Sequence, residues 1–161
     1  MVELSKEQEG FIPWIRSQRS RCLILTGHAG TGKTTVMGLL EEKFSRNKIW
    51  CAPSHNAKNI LSSKVGVGVI TIAKALGLMP KVIKGRKVFL PSSKSLLNEQ
   101  VSLVVIDEAS MVSTAQLNWL LASGARQILF VGDPAQLPPV KEDIAPVFLQ
   151  NFPKYELTKV F

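Results

Sequence analysis

The run Gly27-His28-Ala29-Gly30-Thr31-Gly32-Lys33-Thr34 combines glycines, a lysine and a hydroxyl in the spacing G-x-x-x-x-G-K-[ST]. Glycines let backbone N–H groups wrap a phosphate closely, and a helix that starts at the lysine adds a favourable potential for anions. In that chemistry Lys33 reaches the β- and γ-phosphates of a nucleoside triphosphate, while Thr34 offers its hydroxyl to Mg²⁺. A second candidate is the pair Asp107-Glu108, at the end of the apolar run Ser102–Ile106. The first acid can hold Mg²⁺, and the second can orient or deprotonate an attacking water. The third is Gly132-Asp133-Pro134-Ala135-Gln136-Leu137-Pro138-Pro139-Val140, again after an apolar run, Gln127–Val131. Its bland reading is a proline-stiffened loop; its functional reading makes Gln136 a neutral sensor of the γ-phosphate.

Such groups must be delivered to one place, and periodicity supplies strands and helices to do it. Ser5 with Gln8 three residues on forms a capping box, so a helix is expected from Ser5 to about Arg19. Arg21–Thr26 and Lys48–Ala52 read as buried strands, and a helix is expected from Lys33 to about Ser45. Pro53 ends the second strand, and Ser54 caps a helix expected to reach about Ser63. Val65–Ile70 is rich in β-branched residues and reads as a strand; Thr71 then caps a short helix that Gly77 ends. Ser113 and Gln116 repeat the capping box for a helix that Gly124 terminates, and Tyr155–Thr158 reads as one more strand. Lys81–Pro91 differs, with two short apolar runs around Lys84-Gly85, and is expected to be a β-hairpin projecting from the sheet. Strand–helix alternation implies an α/β fold, a parallel sheet with helices on both faces and ligands outside the strands' carboxyl ends.

At 161 residues the chain is about one domain long. Its 45% hydrophobic and 20% charged composition argues against disorder. No run approaches the ~18 apolar residues of a membrane span, and the acidic start (Glu3, Glu7, Glu9) is not a signal peptide. No membrane partner and a cytoplasmic location are therefore expected. Cys22 and Cys51 lie in apolar runs and read as inert reduced thiols. The net charge of +8 is unevenly spread: residues 1–98 hold 16 Lys/Arg against 5 Asp/Glu, whereas residues 99–161 hold 4 against 7. From Lys43 to Asn98 there are 11 basic residues and no acid. That stretch suits a polyanion such as nucleic acid.

Taken in order, these motifs resemble those of superfamily 1 DNA helicases, in the RecD-like branch and its Dda-type members. Gln8 in LSKEQ is similar to the adenine-reading Q motif, and GHAGTGKTT to helicase motif I. Ala52–Leu61 (APSHNAKNIL) resembles motif Ia and Val69–Gly77 (VITIAKALG) motif Ib. VVIDEAS resembles motif II and VGDPAQLPPV motif III. The resemblance implies a P-loop NTPase fold of RecA-like type over residues 1–161, the first of two motor domains, with a small pin-like insertion at 81–95. It implies ATP as substrate, bound by Gln8, Gly27, Ala29, Gly30, Thr31, Gly32, Lys33, Thr34 and Thr35, with Mg²⁺ held by Thr34 and Asp107. Catalysis falls to Lys33, Glu108 and Gln136.

The same resemblance implies that Pro53, Ser54, His55, Asn56 and Thr71 touch single-stranded DNA. Phe89 either stacks on a base at the single/double-strand junction, a contact of about 1–3 kcal/mol, or packs the hairpin onto its own domain. Gln8 serves a capping box with or without a nucleotide, and His55 reads equally as a surface residue. Ala73 stands where the family often has histidine, so that contact is not carried over. The second motor domain, with its arginine finger, is absent from these residues, so the chain alone is expected to turn over ATP weakly. The expected function is the motor of an ATP-dependent DNA helicase in a bacterial cell or phage-infected host. Two alternatives share these motifs: a nucleotide-gated single-stranded DNA-binding module, and the ATPase domain of a nuclease–helicase or relaxase–helicase subunit.

Overall fold

The computed structural model describes residues 3–161, so Met1 and Val2 of the expected domain lie outside the described residues. The chain runs α1 (Lys6–Ser17), β1 (Cys22–Gly27), α2 (Lys33–Lys43), β2 (Lys48–Ala52), α3 (His55–Val65), β3 (Val69–Thr71) and α4 (Ile72–Ala75). It continues through β4 (Met79–Ile83), β5 (Arg86–Leu90), β6 (Leu103–Ile106), α5 (Thr114–Ala122), β7 (Ile128–Gly132) and β8 (Lys154–Leu157), with 3₁₀ turns at Ala109–Met111 and Pro146–Leu149. The main sheet has six strands in the order β3-β2-β6-β7-β1-β8, and every pairing is parallel.

Parallel strands covered on both faces are apolar throughout, and β1, β6 and β7 are buried along their whole length. Alternation splits their side chains between two cores. Leu23, Leu25, Leu103, Val105, Leu129 and Val131 face α1, α2 and α3 through Phe11, Ile15, Leu40 and Leu61. Ile24, Val104, Ile106, Ile128 and Phe130 face α4 and α5 through Ile72, Ala75, Leu117 and Leu120. Helices therefore sit on both faces, as expected from the alternation. Cys22 and Cys51 are buried free thiols, and burial pushes the Cys51 thiol up to about 12, which leaves it unreactive.

Both capping boxes form: Ser5 Oγ accepts from Gln8 N–H at 3.2 Å and Ser113 Oγ from Gln116 N–H at 3.1 Å. Ser54 caps α3 and Thr71 caps α4. Three boundaries differ from expectation. The segment Val65–Ile70 is not one strand: α3 continues through Val65, Gly66 closes it at φ +76°, and β3 begins only at Val69. Alternating valine and glycine carries strand propensity, but a glycine free to adopt the left-handed region ends a helix more cheaply. The hairpin begins at Met79 and ends at Leu90, with Pro80 inside its first strand, which is tolerated because β4 pairs on one side only. Its turn uses Lys84 at φ +51° and Gly85 at φ +75°, the pair of left-handed residues that matches strand twist. Finally, α5 ends on Ser123 in extended conformation rather than on a left-handed Gly124. Gly124 instead lets the chain pass the backbone of Asn98, whose Cα would lie 3.1 Å from an added Cβ.

Candidate functional site

Sheet order alone assembles the three motifs. β6, β7 and β1 are consecutive neighbours and all parallel, so Asp107, Gly132-Asp133 and Gly27 leave the sheet side by side at its carboxyl edge. Between β1 and α2 the chain turns through Gly30 at φ +82° and Gly32 at φ +83°. Thr31 closes that turn, its hydroxyl donating to the His28 carbonyl at 2.7 Å and its amide to the same oxygen at 3.2 Å. Lys33 Nζ donates to the carbonyls of Gly27 and of His28, the latter at 3.2 Å, so the ammonium lies within its own loop. Thr34 and Thr35 follow in the first turn of α2.

Asp107 is tied to the neighbouring strand by its amide, which donates to Cys51 O at 3.0 Å. Burial raises its carboxyl to about 6; the Glu108 backbone amide and the charges of Lys33 and Lys64 oppose that rise, and the Glu108 charge adds to it. Glu108 holds φ +53°, a left-handed conformation costly for a residue with a Cβ and often found at functional sites. It starts the 3₁₀ turn Ala109–Met111, whose Ser110 hydroxyl donates to Gln136 Oε1 at 3.4 Å. The second and third motifs are thereby joined through their side chains.

Two contacts were not legible in the motifs. His28 Nδ1 lies 3.0 Å from Asp133 Oδ1, linking the phosphate loop to the third motif, and Asp133 also accepts the Ala135 amide at 2.9 Å. Only the adjacency of β1 and β7 brings this pair together, and no local pattern announces that adjacency. The second contact involves Gln8. Its Oε1 accepts the Ser5 amide at 2.9 Å, as the capping box requires, while its Nε2 lies against Gly32, where an added Cβ would collide with it. Both roles are open to the same side chain. Glu7 holds α1 in this position: its carboxylate accepts the Thr158 hydroxyl and the amides of Thr158 (2.8 Å) and Lys159 (3.1 Å). Those bonds, the Thr158 hydroxyl first, keep the Glu7 carboxyl below its ordinary range.

Pro53, Ser54, His55 and Asn56 follow β2, and Thr71 ends β3; Ala52 and Thr71 are paired in register. These residues continue the carboxyl edge beyond Asp107, with His55 and Asn56 exposed. Phe89 stands on the separate β4–β5 hairpin, 53% exposed, with Lys87 Nζ 5.8 Å from its ring centroid. Among the described residues no cluster of three or more His, Cys, Asp or Glu could cage a metal. Thr34 and Asp107 offer hard oxygen donors, which suit Mg²⁺ bound through one carboxylate plus the phosphates of a nucleotide. No helix among the described residues is long and apolar enough to cross a membrane.

Fold and site together define a P-loop nucleoside-triphosphatase domain of RecA-like architecture. The chain belongs to the family described as AAA domain, whose model matches residues 3–161, and it is similar to Dda- and Pif1-type superfamily 1 helicases. The ATP-dependent DNA helicase dda of Enterobacteria phage T4 is 29% identical over 155 residues, covering 89% of this chain and 35% of that protein. An uncharacterised protein of Acanthamoeba polyphaga mimivirus is 33% identical over 156 residues, covering 81% of this chain and 32% of that one. Among solved structures, Bacteroides Pif1 with ADP-AlF4 superposes with a TM-score of 0.69 at 28% identity, covering 100% of this chain and 43% of that chain. Pif1 from Candida albicans gives 0.70 at 26%, covering 100% and 41%. The chain thus spans about a third of these curated relatives and under half of these solved helicases.

Proposed function

We propose that these 161 residues are the ATP-binding motor domain of a DNA helicase that moves along single-stranded DNA and opens duplex. The observation that carries the reading is the single sheet edge on which β1, β7 and β6 present the phosphate loop, Asp133–Gln136 and Asp107-Glu108, and β2 and β3 present Ser54 and Thr71. Nucleotide chemistry and strand contact then share one rigid frame. The likeness to Bacteroides Pif1 bound to single-stranded DNA, and to Pif1 in a structure of DNA unwinding at forked duplex DNA, supports it.

In this reading the amides of Gly30–Thr34 cradle the phosphates and Lys33 leaves its loop carbonyls to reach the β- and γ-oxygens. Thr34 and Asp107 would hold Mg²⁺, which supplies charge neutralisation at the phosphates. Glu108 orients water for in-line attack and accepts its proton. Gln136 senses the γ-phosphate and relays its loss through Ser110 and the Asp133–His28 contact. Gln8, lying against Gly32, reads the adenine. Bases run across Pro53–Asn56 and Thr71, and the hairpin, as a pin, places Phe89 at the junction. Full turnover requires a second domain to supply an arginine, a contribution of about 10³–10⁵ in rate.

Two measurements test this. Isothermal calorimetry with Mg–ATP is expected to show binding that Lys33→Ala weakens roughly 10–100-fold, the worth of a charge-assisted phosphate contact of about 1.5–3 kcal/mol. Equal affinity in the variant removes the phosphate loop from the account. Fluorescence anisotropy with labelled single-stranded DNA is expected to show affinity falling as salt rises. A salt-insensitive interaction overturns the strand-binding half.

A further inference from the structure

The chain has six arginines; Arg86 lies in the β4–β5 hairpin, and the fold uses the other five in two ways. Some cap helix ends, where cations are favoured. Arg16 donates to the Lys43 carbonyl at the end of α2 at 2.7 Å, and Arg21 donates to the carbonyls of Leu121 in the last turn of α5 and of Ser123 and Ala125 just past it. Arg19, Arg46 and Arg126 do something else. They come from loops far apart in sequence and line one polar cleft of about 550 Å³, together with Ser20, Ser102 and Gln127. All three are exposed. Arg126 spends only its Nε, on Glu99 O at 2.8 Å, and Arg46 rests its guanidinium 5.3 Å from the Phe44 ring centroid. Among the described residues, neither Arg19 nor Arg46 holds a carboxylate, and no acid lines the cleft.

Three like charges gathered without a counter-charge repel one another, and a fold bears that cost where an anion gathers them. Arginine matches phosphate with a planar fork of donors. Ser102 and Gln127 immediately precede β6 and β7, so the cleft lies at the amino edge of a parallel sheet, opposite the nucleotide edge. Its volume, several times that of one phosphate, has room for successive phosphates of a polymer. We propose that this cleft is a second nucleic-acid site, in which Arg19, Arg46 and Arg126 hold the sugar–phosphate backbone of a duplex. It shares no residue with the strand-binding surface proposed above, so either can fail without the other.

The test measures anisotropy of a short labelled blunt duplex across a salt series, in a Lys33→Ala chain so that the phosphate loop contributes least. R19Q/R46Q/R126Q is expected to lose about tenfold or more in affinity at low salt and to flatten the log–log salt slope by about 2–3, near 0.9 per phosphate neutralised. R19K/R46K/R126K is expected to regain the slope. R19Q/R46Q, which breaks none of the hydrogen bonds above, carries the same test should the triple variant unfold, with a change of about 2. His55→Ala is expected to leave the slope difference as it was. An unchanged slope in the glutamine variants overturns the site. Displacement of the duplex by inorganic phosphate at matched phosphate concentration overturns the polynucleotide assignment in favour of a small oxyanion.

Discussion

Asp107→Asn is expected to make the metal-free chain more stable at pH 8 while destroying Mg²⁺-dependent ATP turnover. The sign follows from burial. It lifts the Asp107 carboxyl from the ordinary 3.8 to about 6, so the folded chain holds this proton more tightly than the unfolded chain does. Between those two values stability therefore falls as pH rises, and above about 6 the full penalty of a half-buried carboxylate is present. A rise of that size corresponds to roughly 2–3 kcal/mol, or about 5–10 °C in Tm for a chain of this size. Asparagine removes the charge and keeps the shape, so the gain should be complete at pH 8 and should vanish towards pH 4. Thermal melts of both chains across that range, without divalent metal, check it. A variant no more stable than the parent at pH 8 means that Asp107 is better solvated than its surroundings indicate. Loss of turnover has the opposite origin: the amide cannot supply the anionic oxygen that Mg²⁺ prefers. Stability and activity then move apart at one atom, as expected where burial is maintained for function.

How much of this was legible in the residues depends on the range of the interaction. Capping boxes at Ser5 and Ser113, the caps at Ser54 and Thr71, and the buried strands before Gly27, Asp107 and Asp133 are local facts, and the structure contains them. The stretch from Val65 to Ile70 failed because its two competing signals are both local and similar in size, and only Gly66 in the left-handed region separates them. Contacts between distant segments left no local trace. His28 with Asp133, Gln8 with Gly32, and the meeting of Arg19, Arg46 and Arg126 are set by sheet order, which periodicity does not specify. The charge asymmetry pointed to a polyanion surface in the first half of the chain. It could not show that Arg126, from the acidic half, closes a basic cleft at the other edge.

Glu108→Gln is expected to bind Mg–ATP about as well as the parent chain and to hydrolyse it some 10²–10⁴-fold more slowly, the usual contribution of a positioned general base. The geometry separates this residue from its neighbour. Asp107 sits at the strand end with its amide fixed to β2, whereas Glu108 is turned into the left-handed region at φ +53° and opens the 3₁₀ turn that carries Ser110 towards Gln136. A surface loop has little reason to keep a glutamate in that conformation, which costs on the order of 1–3 kcal/mol and which glycine would adopt freely. Glu108→Gly should therefore raise stability while losing turnover as fully as glutamine does. Single-turnover hydrolysis in the presence of whatever second domain completes the cleft, beside calorimetric affinity for a non-hydrolysable analogue, distinguishes the possibilities. Slow chemistry with intact binding supports Glu108 as the base that takes the proton from water. Lost binding in the glutamine variant would place Glu108 in nucleotide or metal retention and leave the attacking water without its acceptor. Wild-type turnover in either variant would remove it from the reaction altogether. The strain would then have to be explained by the Ser110–Gln136 link alone.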